Sequence, residues 1–138
     1  MAKENGLGLT VTVDDSAGTG RAISNDVTNL TFSIPSGVQD ITGVNSSGME
    51  RLLLLADMQI TINGVFNDAA TTGIHTVLSN FRTLAASQVG RTTVIVHSAQ
   101  TLSEEILYSD YALTRAADGS LTVSIPGAAA DGTVPAWS

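Results

Sequence analysis

The strongest constraint on the fold of this chain is an alternation of apolar and polar residues with a period of two. Because successive side chains of a strand point to opposite faces of a sheet, this alternation predicts strands with one buried face. The pattern occurs in four segments spread along the chain: residues 7–13, 30–34, 58–62 and 121–125. Residues 92–96 form a β-branched run that is typical of a more deeply buried strand.

One segment departs from the alternation and has helical spacing. Its apolar residues recur at intervals of three and four: Ile74, Val77, Leu78, Phe81, Leu84 and Ala85. This spacing predicts an amphipathic α-helix over about residues 72–86, with Thr71 or Thr72 as N-cap. A lone helix buries its apolar stripe by packing on a sheet. The predicted fold class is therefore mainly β (α+β), an antiparallel β sandwich or partly open barrel with one packed α-helix.

Turn and strand-ending residues complete the outline of one domain. Residues 106–113 are predicted to form one longer strand, and Asp118 with Gly119 indicates a tight hairpin before the last alternating segment. Pro35 and Pro126 are predicted to end strands. With no linker in the sequence, residues 1–138 are expected to form a single domain.

The C-terminal segment differs from the strands in composition. Residues 127–138 are rich in glycine and alanine and are expected to form an extended C-terminal arm. The arm carries Trp137, the only tryptophan. Two interpretations remain open for this side chain: it becomes ordered against a neighbouring subunit, or it covers its own domain.

The surface is expected to be poor in charge. Charged residues make up 14% of the sequence, against roughly 25% in an average domain, while 17 threonines and 14 serines supply uncharged polarity. Such a surface suggests that much of it is covered in an assembly. The net charge is −7, and the six basic residues are scattered singly. Binding to nucleic acid or to an acidic membrane surface is therefore disfavoured.

Few side chains have the spacing that catalysis or metal binding requires. The chain has no cysteine, and its two histidines, His75 and His97, have no further ligands at metal-site spacing, so both are predicted to be structural. Asp14 and Asp15 open a loop that fails the calcium-loop pattern and is predicted to be a turn. No catalytic, cofactor-binding or metal site is predicted, and no enzyme activity.

The other carboxylates are also predicted to have no chemical role. Glu104 and Glu105 are adjacent on a predicted strand and therefore point to opposite faces, so they cannot act as a catalytic pair. The isolated carboxylates are expected to be solvated or ion-paired: Asp26, Asp40, Glu50 and Asp57.

A run of four leucines at residues 52–55 has two interpretations. It is either buried on both sides within the monomer, or it faces a neighbouring subunit on one side. The apolar run at residues 52–56 is too short to span a bilayer. Residues 1–9 lack the apolar core of a signal peptide, so the chain is expected to be made in, and to stay soluble in, a cytoplasm.

The order of several short motifs carries a family resemblance. The motifs are RAISNDVTNL at residues 21–30, VQDITG at 38–43, GMERL at 48–52, ADMQITINGVFND at 56–68 and AADGSL at 116–121. A predicted helix opens near His75, between the last two motifs. In this order the motifs resemble the tail-tube proteins, or major tail proteins, of long-tailed bacteriophages. The resemblance spans most of the chain.

The resemblance implies a structural virion protein of the phage tail. Six subunits would form a ring by joining their inner sheets, and rings would stack into a tube that conducts the genome during ejection. The implied partners are other copies of the chain and other tail proteins, such as the tape measure and the terminator. The resemblance also implies synthesis in the bacterial host cytoplasm. DNA would pass through the lumen without specific binding, and no membrane binding is implied.

Two other functions are weighed against the tail tube. A capsid decoration protein or head–tail connector would also be small and rich in strands. A ligand-binding β domain would need an aromatic-lined cavity, and one Trp, two Tyr and three Phe in the whole chain make such a cavity a weaker alternative.

Overall fold

The computed structural model describes residues 3–138 and is mostly β structure, with 46% strand and 4% helix. The strands are β1 (Thr10–Asp14), β2 (Gly20–Ala22), β3 (Val27–Ser33), β4 (Ser36–Asp40), β5 (Arg51–Ala56), β6 (Gln59–Val65), β7 (Arg91–His97), β8 (Gln100–Tyr108), β9 (Ala112–Arg115) and β10 (Leu121–Ala129). The one helix in the described residues is α1 (Ile74–Leu78).

Eight of these strands form one sheet, in the order β2-β1-β7-β8-β10-β6-β3, with β9 also paired to β10. Strands β4 and β5 form a separate two-stranded sheet. All pairings between these strands are antiparallel. The predicted mainly β, antiparallel fold with one helix is confirmed, and the sheet does not close into a barrel.

The large sheet curves around one core, because its alternating strands direct apolar side chains to the same interior. Buried side chains come from β1, β6, β7, β8, β10 and α1, and include Val13, Ile62, Val77, Ile95 and Ile125. A cavity of about 270 Å³ lies between the chain around β1 and the start of β3.

The helix is much shorter than predicted. It ends at Leu78 after five residues, whereas the spacing predicted about residues 72–86. The cause is the side chain of Arg91, which is fully buried. Its guanidinium donates hydrogen bonds to the carbonyl oxygens of Val77, Asn80 and Thr83 at 2.8–3.2 Å. The chain after Leu78 therefore curves around the Arg91 guanidinium and leaves the helical path. Phe81, which was predicted to lie on the helix stripe, is only partly buried.

The N-terminus of the helix is also held from a distance. The N-cap position is Gly73 and has no side-chain cap, so the prediction of Thr71 or Thr72 was wrong. The first helical N–H, of Ile74, instead donates to the Asp26 carboxylate at 3.0 Å. A long-range contact thus supplies what a local cap supplies in other helices.

The strand that Pro126 was predicted to end runs on to Ala129. The carbonyl oxygen of Pro126 accepts the Ser109 N–H at 3.0 Å, at the point where β8 has ended and β9 has not begun. Because the N and C=O groups of a strand residue face the same neighbour, the missing N–H of Pro126 faces this break and costs no sheet hydrogen bond. The same break divides the single strand predicted over residues 106–113.

Candidate assembly surface

The most exposed apolar part of the described chain is the segment of residues 36–56, termed here the apolar hairpin. It consists of β4, a tip at residues 41–50, and β5, which pair only with each other. More than half of the large apolar side chains exposed in the described residues lie in it: Val38, Ile41, Val44, Met49, Leu52, Leu53, Leu54 and Leu55. Of the two interpretations of the leucine run, burial within the monomer is wrong.

Both faces of the apolar hairpin are open to solvent. Leu53 and Leu55 on one face of β5 are 77% and 90% exposed, and Leu52 and Leu54 on the other are each 51% exposed. An isolated two-stranded sheet is marginally stable in water, and an exposed apolar patch of this kind marks an interaction site. Each leucine side chain moved out of water stabilises a contact by about 1.5–3 kcal/mol. The apolar hairpin therefore has the chemistry of an interface.

The tip of the apolar hairpin is ordered by its own hydrogen bonds. The hydroxyl of Thr42 accepts the Glu50 N–H at 2.8 Å, and the Thr42 N–H donates to the Asp40 carboxylate at 2.9 Å. These bonds from the Thr42 side chain and backbone lower the pKa of Asp40. These local hydrogen bonds define the conformation of the tip, and packing against a partner would stabilise the hairpin further.

The large sheet also presents unpaired strand edges. Strands β2 and β3 stand at the two ends of the sheet order, and each has one hydrogen-bonded neighbour. Strand β9 pairs only with β10 and is exposed throughout. Exposed strand edges are templates for pairing with another chain. The edge of β3 leads directly into the apolar hairpin.

The C-terminal arm lies against its own domain. Trp137 forms a bridge with Leu102 of β8, and its ring centroid lies 5.9 Å from that of Phe32 on β3. The backbone groups of Ser138 and Thr101 exchange two hydrogen bonds of 2.9 Å. These contacts favour the interpretation in which Trp137 covers its own domain, although 46% of the side chain stays exposed.

The histidines and the loop aspartate Asp15 contact other residues of the same domain. His75 hydrogen-bonds through Nδ1 with the Tyr111 hydroxyl at 2.9 Å, and His97 lies 3.6 Å from the Glu4 carboxylate. Asp15 accepts the N–H groups of Ala17 and Thr19, as the predicted turn requires. The Thr19 hydrogen bond is the main cause that lowers the pKa of Asp15. No three His, Asp or Glu side chains in residues 3–138 converge to hold a metal ion.

Asp26 is a buried carboxylate, which the sequence did not indicate. It was expected to be solvated or ion-paired, and that expectation was wrong. Its side chain accepts hydrogen bonds from the Asn67 amide at 2.9 Å and from the Ile74 N–H. Its backbone oxygen accepts the Val65 N–H. Asp26 therefore joins the start of β3 to the end of β6 and to α1. Asp40, Glu50 and Asp57 are exposed, as predicted.

Glu104 and Glu105 point to opposite faces of β8, as predicted. Glu104 faces the interior with 5% of its surface exposed, and its Oε2 atom has no hydrogen-bond partner. Burial raises the pKa of Glu104, and the neighbouring Asp131 carboxylate adds to this increase. Glu105 is half-buried and accepts the Thr92 hydroxyl. Glu104 is thus a buried acid that lies near Asp131 of the C-terminal arm.

Replacing Glu104 with glutamine is expected to stabilise the fold at neutral pH. Since the folded-state pKa is raised, the folded chain binds more protons than the unfolded chain between the ordinary and the raised pKa, and stability falls as pH rises through that range. Glutamine has no charge to bury, so at pH values above the raised pKa the free energy of unfolding of the variant should exceed that of the wild type by about 1 kcal/mol. The gain should vanish in acid.

Urea denaturation of wild type, Glu104→Gln and Glu105→Gln at neutral and acid pH measures the effect. Glu105→Gln is the matched control, because Glu105 lies on the other face of the same strand. A Glu104→Gln variant that is destabilised at neutral pH but not in acid would show that the ionised carboxylate is favourable where it lies, and would contradict the prediction.

No helix among residues 3–138 has the length and apolar character needed to span a bilayer. No family model matches the sequence, and no curated protein matches it.

Solved structures do match the fold over its full length. One is a chain of the virion of a native gene transfer agent particle, with a TM-score of 0.72, 17% identity and coverage of 99% of both chains. Another is a chain of the tail of an empty gene transfer agent particle, refined with helical, C6 symmetry. Its TM-score is 0.73 at 20% identity, covering 99% of this chain and 98% of that chain. At these identities the comparison establishes a shared fold: this chain has the fold of a chain found in a C6-symmetric tail.

Proposed function

We propose that this chain is a tail-tube subunit, which assembles into rings of six that stack into the hollow tail of a virion. The observation that carries the proposal is the full-length similarity to a chain of a C6-symmetric tail. The order of the short motifs along the sequence, which resembles that of tail-tube proteins, is a second line of support for the proposal. Several of these motifs, such as residues 38–43 and 48–52, lie outside the alternating strands.

The apolar hairpin is the surface that such an assembly would cover. A ring made by rotation joins one surface of each subunit to a different surface of the next, so the contacts are heterologous and close on themselves. A hairpin with two apolar faces and an ordered tip suits this role. The unpaired edges of β3 and β9 would be covered by joining sheets between subunits.

The alternatives are less well supported. A capsid decoration protein or a head–tail connector could also cover the apolar hairpin in its assembly. The similarity to a chain of a C6-symmetric tail favours the tail-tube function over these two. One cavity in the described residues lies between β1 and β3 and another lies beside Trp137, which is the only Phe, Tyr or Trp among their lining residues. This lining does not suit a small-ligand site. We propose a structural role and no enzymatic one. The tube ends would contact other tail proteins, such as the tape measure and terminator, after synthesis in the host cytoplasm.

DNA is proposed to pass through the tube without specific binding. Each copy carries a net charge of −7, and its basic residues are dispersed, with Arg91 buried and Arg21 paired to Asp15. Repulsion between such a surface and phosphates favours sliding over adhesion. A mobility-shift assay with duplex DNA at physiological salt should detect no complex. A salt-sensitive shift at micromolar protein would contradict this prediction.

Sedimentation velocity tests self-association directly. Across a rising concentration series, the wild-type chain should shift from monomer to ring-sized and larger species, because the exposed leucines become buried between copies. A chain that sediments as a monomer at every concentration would overturn the proposal.

A further inference from the structure

The chain contains two Asn-Gly steps in opposite environments. Asn5 and Gly6 lie in the N-terminal segment before β1, and both are exposed. Asn63 and Gly64 lie in the middle of β6. An asparagine side chain followed by glycine can be attacked by the glycine amide nitrogen, provided that the backbone is free to bring the two groups together. The two steps therefore provide a comparison within one molecule.

The geometry at Asn5 favours this attack. The Leu7 N–H donates a hydrogen bond to Asn5 Oδ1 at 3.0 Å. That oxygen gains negative charge when a nucleophile adds to the amide carbon, and a donor already aimed at it stabilises the developing charge. No atom beyond its chain neighbours lies within 4 Å of the Cβ position of Gly6, so the surroundings of this residue are open.

We propose that Asn5–Gly6 is a site of spontaneous deamidation. The Gly6 nitrogen forms a bond to Asn5 Cγ and gives up its proton, while the Cγ–Nδ2 bond breaks and ammonia leaves. Water then opens the cyclic imide at either carbonyl. The products are aspartate and isoaspartate, each with one more negative charge than asparagine. No enzyme or oxidant is needed, because water is the only co-reactant.

The Asn63–Gly64 step is protected by the fold. Its strand is paired on one side with β3 and on the other with β10, so the backbone cannot rotate. Gly64 is buried, and the Asp26 carbonyl oxygen lies 2.5 Å from the position that a Cβ would occupy. Attack by the Gly64 nitrogen requires the strand to leave the sheet. Asn63 should therefore react only in the unfolded chain.

The modification falls beside the contact that fastens the N-terminal segment. Glu4, the residue before Asn5, accepts the Ser98 hydroxyl at 3.1 Å and lies 3.6 Å from His97. Deamidation places a second carboxylate next to Glu4, and the isoaspartate product lengthens the backbone by one carbon. Ageing would thus alter the charge at the turn between β7 and β8, one charge per copy.

Incubation of the purified full-length chain at mildly alkaline pH, followed by intact-mass measurement and peptide mapping, tests the proposal. Wild type should convert at Asn5 to a mixture of aspartate and isoaspartate, while Asn63 keeps its amide. Asn5→Gln should abolish the conversion at position 5, and Gly6→Ala should slow it, because the added methyl group hinders the attack by the backbone nitrogen of residue 6. In urea, Asn63 of the same chain should convert as well.

The comparison between the two sites decides the outcome. Conversion at Asn5 in the folded chain, with Asn63 protected until urea is added, supports the proposal. An Asn5 that stays an amide in the folded chain over the time in which Asn63 converts in urea would overturn it. Equal conversion of both sites in the folded chain would overturn the protection argument.

Discussion

Replacing Arg91 with methionine is expected to destabilise the fold by about 3–5 kcal/mol, because each buried carbonyl group left without a donor costs about 1–3 kcal/mol. The guanidinium is fully buried and donates to backbone oxygens of Asp14 on one side and of Val77, Asn80 and Thr83 on the other. Methionine fills a similar volume but donates no hydrogen bond. Four carbonyl groups would lose a partner in the interior.

The charge of Arg91 is balanced mainly by these carbonyl dipoles. Burial lowers the pKa of the guanidinium, and the carboxylates of Asp15 and Asp14 oppose that decrease without forming an ion pair. Arg91→Lys should recover part of the stability, since an ammonium group can reach some but not all of the same oxygens. The order of stability expected is wild type, Arg91→Lys, then Arg91→Met.

Chemical denaturation of the three chains measures this order. Arg82→Met is the control, because Arg82 is an exposed arginine on the same loop that stacks over the Phe81 ring. Its loss should cost about 1 kcal/mol or less. If Arg91→Met were no more destabilising than Arg82→Met, the carbonyls would have found other partners and Arg91 would not organise the loop.

Introducing glutamate at Leu53 and Leu55 is expected to abolish self-association while leaving the monomer fold intact. Both residues are more than three-quarters exposed, so their replacement removes little contact within the monomer. Surface substitutions of this kind change the free energy of unfolding by about 0.5 kcal/mol or less. In an assembly, however, the two carboxylates would have to be buried without partners, which costs several kcal/mol each.

Sedimentation and thermal unfolding of Leu53→Glu/Leu55→Glu separate the two effects. Val89→Glu is the matched control, since Val89 is a large apolar residue with 55% exposure in the loop that follows α1. The double variant should remain monomeric with an unchanged melting temperature, and the control should still associate. Normal association of the double variant would show that this face of the apolar hairpin lies outside the contacts.

The alternating pattern was sufficient to place the strands of the core. β1, β3, β6 and β10 overlap the alternating segments, and β7 overlaps the predicted β-branched run. The buried residues of β1, β6, β7 and β10 recur with a period of two, whereas the residues of β3 are at most partly buried. The helix was predicted too long for a different reason. Ile74, Val77 and Leu78 do lie on a buried helical face, but the direction of the chain after Leu78 is set by Arg91, which lies thirteen residues further along. Local spacing carries no information on such a contact.

The assembly surface could be predicted only in part. Residues 36–40 have no alternation, so β4 was missed. Four consecutive leucines indicate burial on both faces of a strand. The sequence pattern is the same whether those leucines are buried by their own domain or by another copy of the chain.

The burial of Arg91 had only a weak signal in the sequence. Arg91, Thr93 and Ile95 share one face of β7, and this face is the buried one.

Electron microscopy of the purified protein at high concentration tests the central proposal most directly. The account predicts hollow filaments whose end-on views show sixfold rings, and it predicts that Leu53→Glu/Leu55→Glu forms none. A wild-type chain that forms only monomers, or closed trimers without a tube, would contradict the proposed tail-tube function.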